Sequence, residues 1–132
     1  MTTRTNNFAR RVFRFAGIYG LIVLVPQLFV ESRIGHDYPP AITHVEYFYG
    51  FLGIAIAFQF AFLTIAKDPV RYRALMPPSI LEKLAFGVPA IVLFVQHRLS
   101  LVTMCFGILD LVLGTLFLVS WRVTPPDSGN AS

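Results

Sequence analysis

Long apolar runs alternate along this chain with short polar and basic segments. Crossing about 30 Å of hydrocarbon takes roughly 17 to 25 residues of helix at about 1.5 Å each. Four runs fit that length: 12–30, 47–66, 80–96 and 99–121. The first, second and fourth hold at most one or two polar side chains in their interiors. The third carries Glu82, Lys83 and Pro89. It is still predicted to span, because a charge at a helix end can snorkel to the interface and a membrane proline is tolerated where neighbours re-satisfy the backbone. The pattern predicts an all-α membrane protein, a compact bundle of four transmembrane helices forming one domain over 1–132. A basic cytoplasmic segment, 1–11, precedes it, and 124–132 reads as a short disordered cytoplasmic tail.

The segments between the runs carry helix-start signals. Pro39-Pro40 precedes Thr43-His44-Val45-Glu46, and Pro77-Pro78 precedes Ser79-Ile80-Leu81-Glu82. Each is a capping-box signature, in which the hydroxyl of Thr43 or Ser79 accepts from a backbone N–H and Glu46 or Glu82 reaches back to the cap. Asp68-Pro69 predicts the N-cap and first residue of a short interfacial helix near 69–76. Its Arg71 and Arg73 would lie at the level of anionic lipid headgroups. Gly50 precedes Gln59 by nine residues and Gly87 precedes Gln96 by nine, a weak internal echo between the second and third runs.

Within the fourth run, Thr103, Gly107, Asp110, Gly114 and Phe117 recur at helical spacing and share one face. Gly107 and Gly114 allow close backbone approach, the usual means by which membrane helices associate. Phe117 is expected to end that close approach at Gly114. Related faces carry Gly17, Gly20, Leu24 and Gln27 on the first run and Ala55, Gln59 and Ala66 on the second. These are the expected lining of the bundle, and the thirteen phenylalanines are expected to serve mostly as lipid-facing bulk.

Composition narrows the class. The chain is 55% hydrophobic and 14% charged, against roughly a quarter charged in soluble domains, and its mean hydropathy is +0.65. A disordered regulator is thereby excluded. The lone Cys105 excludes an internal disulfide framework and a cysteine-based zinc site. Arg4, Arg10, Arg11, Arg14, Lys67, Arg71, Arg73, Lys83 and Arg122 fall on one side of the predicted topology, and only Arg33 and Arg98 on the other. That bias places both termini in the cytoplasm of a multi-pass protein of the plasma membrane or bacterial inner membrane. A secretory signal peptide also begins with basic residues and an apolar run. No small-x-small cleavage site follows in Pro26-Gln27-Leu28-Phe29-Val30-Glu31, so the first helix is expected to stay uncleaved. Trp121, Tyr47 and Tyr49 read as interfacial anchors.

Asp110 is the residue most in need of explanation. It lies eleven residues from Leu99 and twelve from Arg122, near the bilayer midplane, where an aspartate costs about 3 kcal/mol on insertion scales. Gln59 is its expected partner by depth. With no basic residue expected at that level, desolvation favours the protonated carboxyl group. Asp110, Gln59 and Gln27 form the expected intramembrane polar set.

On the opposite side, His36, Asp37, His44, Glu46 and His97 could in principle hold a transition metal, or His44 and His97 a haem, but no ligand spacing supports either. No cofactor is therefore expected. There is no phosphate-binding loop and no hydrolase or zinc-protease motif. The isoelectric point of about 9.6 is absorbed by the topology signal, not by a nucleic-acid surface.

Four compact spans in about 130 residues with both termini inside resemble the DoxX-like bacterial membrane proteins and, more distantly, the EXPERA sterol-isomerase fold. The likeness is one of size and topology, and it carries over no catalytic residue. Three functions remain in view. The first is association, as an accessory subunit or homo-oligomer, with the lipid bilayer and a membrane protein as partners. The second is a small proton-coupled transporter or channel using Asp110 and Gln59. The third is a membrane enzyme acting on a lipid or quinone, with Asp110 or Glu46 as general acid–base.

Overall fold

The computed structural model describes residues 2–130, with the side chains of 7–129. Helix α1 (Thr2–Leu24) is extended by a 3-10 turn over Val25–Phe29, and the short α2 is Glu31–Asp37. The remaining long helices are α3 (Val45–Lys67), α4 (Met76–Val95) and α5 (Leu101–Val123). No strand occurs among the described residues. The segments Asn7–Phe29, Val45–Lys67, Arg73–Val95 and Leu101–Val123 are each long and apolar enough to cross a membrane. The protein is an all-α four-helix bundle with the composition of a multi-pass membrane protein.

Glycine seams organise the packing into two pairs, α1 on α3 and α4 on α5, joined mainly through α1 and α5. A Cβ on Gly17 would sit 2.7 Å from Leu63 Cγ, and one on Gly20 would run into the Gln59 side chain. In the other pair, a Cβ on Gly87 would lie 2.6 Å from Leu111, and one on Gly107 2.5 Å from Ala90 Cβ. The small faces read from the sequence are therefore consumed inside the chain. Gly50 meets nothing within 4 Å while Gly87 is tightly packed, so the two glycines of the sequence echo have unlike roles.

The two pairs meet on an aromatic core. Phe13, Phe62 and Phe117 are fully buried. Phe13 stacks on Phe117 at 4.1 Å between ring centroids, and Phe62 meets Phe117 edge-on at 4.9 Å. Such pairs add about 0.5–1.5 kcal/mol each beyond the area they bury. Three of the thirteen phenylalanines are thus core, and Phe117 fills the junction of α1, α3 and α5 just beyond the close approach at Gly114. Phe15, Phe29 and Phe60 do face outward as expected.

The helix ends also differ from expectation. α4 begins at Met76, three residues before the expected cap Ser79, and its first turn contains Pro77 and Pro78. First-turn N–H groups have no intrahelical acceptor, so tandem prolines cost no hydrogen bond there. Ser79 is one turn inside the helix, donating to Leu75 O at 2.7 Å. α3 starts at Val45 with His44 at the cap position and no side-chain cap bond, so Thr43 and Glu46 form no capping box. Glu46 instead lies 3.5 Å from His44 Nδ1. Asp68 does cap, its Oδ1 accepting from Arg71 N at 3.2 Å, but the chain that follows is a turn and the 3-10 segment Arg73–Leu75, which leads straight into α4.

Ser100 is the side-chain cap that the pattern did not reveal: its Oγ accepts from Thr103 N at 3.2 Å and lies 2.9 Å from Thr103 Oγ1. Thr103 thus serves the start of α5 as well as its face. α4 ends in a Schellman arrangement, with Arg98 N donating to Leu93 O and His97 N to Phe94 O. His97 occupies the left-handed position at φ 58°, where glycine is usual, and this gives the histidine a place in the turn.

Candidate functional site

The face of α4 turned toward the bundle carries Met76, Ser79, Lys83, Gly87 and Ala90, all buried and spaced by three or four residues. Lys83 thus points inward with only 4% of its surface exposed. Its Nζ lies 3.3 Å from Asp110 Oδ1 on α5, 3.5 Å from Glu82 Oε2, and 5.1 Å from the ring centroid of Phe62 on α3. The Asp110 contact is a hydrogen bond donated by the ammonium group. The carboxylate side chains are 17% exposed for Asp110 and 15% for Glu82. Gly114 makes room for the lysine stem, since a Cβ there would be 3.2 Å from Lys83 Cβ.

The depth of this cluster is its most telling property. Lys83 stands ten residues from Arg73 and twelve from Val95, and Asp110 nine from Leu101 and thirteen from Val123. Both are therefore near mid-span. Each charged group at that depth costs about 3 kcal/mol on insertion scales, and pairing offsets part of that cost. The ammonium neutralises one carboxylate, which leaves the second in excess.

Two expectations are overturned here. Glu82 and Lys83 are not at a snorkelling helix end, because α4 starts too early for that. Asp110 is accordingly not without a basic residue at its level, and its partner is Lys83, not Gln59. Gln59 is buried on α3 against Gly20, its Nε2 donating to Ala55 O at 2.8 Å, while its Oε1 meets no donor among the described residues. Gln27 donates to Val23 O within its own helix, toward the far end of α1 from the basic segment. With Lys83 removed from the topology signal, the basic count is eight against two.

The remaining predicted sites lie apart from the cluster. Arg73 donates to Trp121 O at 3.1 Å and Thr124 O at 2.8 Å and covers the Trp121 ring, so it caps the C-terminus of α5 instead of reaching outward. Arg71 is exposed, with its guanidinium 5.5 Å from the Tyr72 ring. His36 lies beside the Asp37 carboxylate and His44 beside that of Glu46, and no group of three potential metal ligands occurs among the described residues. Tyr49 Oη donates to Glu31 Oε2 at 2.7 Å, tying α2 to α3 at the rim of a cavity of about 360 Å³.

Fold and cluster together define a small multi-pass membrane protein with an ion-paired core. No family model matches the chain, and neither a curated protein nor a solved structure matches it.

Proposed function

We propose that the Glu82–Lys83–Asp110 cluster is a proton-binding site at mid-membrane and that the protein is a small proton-coupled transporter or channel. The observation that supports this reading is the lysine held between two carboxylates near mid-span, one more carboxylate than its charge can neutralise. Intramembrane acids and bases that face a bundle interior commonly mark proton and ion pathways. The excess of basic residues on one side supports an orientation with both termini cytoplasmic.

The test is proton movement into liposomes carrying the purified protein and a pH-sensitive dye, under an imposed membrane potential. The wild type should exceed protein-free liposomes, and Asp110→Asn should return to their rate while keeping its helicity. An Asp110→Asn protein that moves protons as fast as the wild type would contradict the proposal.

A second reading, assembly with a partner, is favoured by Gly50 and Gly53, which face outward on α3 with nothing within 4 Å. Cysteine crosslinking between copies at Gly53→Cys, in a Cys105→Ser background, tests it. Crosslinking that proceeds only when copies are concentrated by chance would remove this reading.

A further inference from the structure

One outward face of α1 forms a groove of about 420 Å³ lined by Arg11, Arg14, Phe15, Ile18, Tyr19 and Ile22. Its wall is almost wholly apolar below the two arginines. Phe15 and Tyr19 stack nearly parallel, 6° apart, and make a flat floor. Phe15, Ile18 and Ile22 are 60%, 48% and 68% exposed, so no other described residue covers the groove. Arg11 and Arg14, one turn apart at its N-terminal end, meet no carboxylate among the described residues.

We propose that this groove binds one anionic phospholipid from the leaflet at the N-terminal end of α1. Two unneutralised guanidinium groups at one end fit a phosphodiester, which arginine recognises through paired N–H donors. The length fits as well. Arg11 and Ile22 are eleven residues apart, about 16 Å along the helix, close to the depth of one leaflet's hydrocarbon. A neighbouring helix would instead have to supply an acid opposite Arg11 and Arg14. The assignment stands whether or not the cluster moves protons.

Native mass spectrometry of the full chain in detergent, with dioleoyl phosphatidylglycerol or dioleoyl phosphatidylcholine added, tests it. One phosphatidylglycerol should be retained per chain, and phosphatidylcholine should not. Arg11→Gln with Arg14→Gln should weaken retention about 30-fold, the effect of losing two arginines near a charged lipid. Ile18→Trp, which fills the groove and leaves both arginines, should also lose the lipid, and circular dichroism checks that each variant is folded. Equal retention of the two lipids, retention unaffected by the arginine substitutions, or a dimer that buries the groove in place of lipid would each overturn the assignment.

Discussion

Replacing Lys83 with methionine should destabilise the bundle by about 3–5 kcal/mol, the usual cost of removing one partner from a buried ion pair. The methionine keeps the length of the stem beside Gly114 and the contact with Phe62, so packing changes little. What remains is two carboxylates near mid-span with no cation between them. The loss should shrink as pH falls, because protonation removes the unpaired charge. Adding Glu82→Gln and Asp110→Asn should recover most of it at neutral pH, since the three replaced side chains then carry no charge. Thermal unfolding in detergent, followed by circular dichroism, measures both variants against the wild type. A Lys83→Met protein as stable as the wild type would mean that the cluster contributes nothing to the fold.

Gly107→Leu should cost about 3 kcal/mol, the upper part of the usual range for overpacking, because its Cβ would collide with Ala90 Cβ, an atom with no freedom to turn aside. α4 and α5 would have to separate, and Asp110, one turn along α5, would be drawn away from Lys83. Gly50→Ala offers the contrast within one protein. Nothing lies within 4 Å of that position, so alanine should leave stability unchanged or raise it by about 0.5–1 kcal/mol through its better helix propensity. Parallel melting curves decide between them. Equal effects at the two sites would show that the α4–α5 seam is looser than described.

The four crossings were legible because apolar length is a direct consequence of bilayer thickness. The close-packing roles of Gly17, Gly20, Gly107 and Gly114 were legible too, from small residues at helical spacing that line the bundle. The cluster was only half legible. Asp110 stood out as an acid at mid-depth, but Glu82 and Lys83 followed Pro77-Pro78 closely enough to resemble the first turn of a helix. Prolines in a first turn are compatible with a helix that has already begun, and that three-residue difference in the start of α4 carries Lys83 from the interface to the core. Arg73 was misplaced for a related reason. A sequence shows that an arginine lies near the interface but not that the open carbonyls of Trp121 and Thr124, about fifty positions away, end within its reach.

The most direct measurement of the central claim is infrared difference spectroscopy of the protein in lipid bilayers, comparing wild type with Asp110→Asn and Glu82→Gln between about pH 5 and about pH 9. A site that binds and releases a proton predicts a protonated-carboxyl band that grows as pH is lowered through this range and is lost or displaced when either acid becomes an amide. A cluster whose carboxyl bands stay fixed across the whole range in all three proteins would be a static ion pair, and the proton-site account would be wrong.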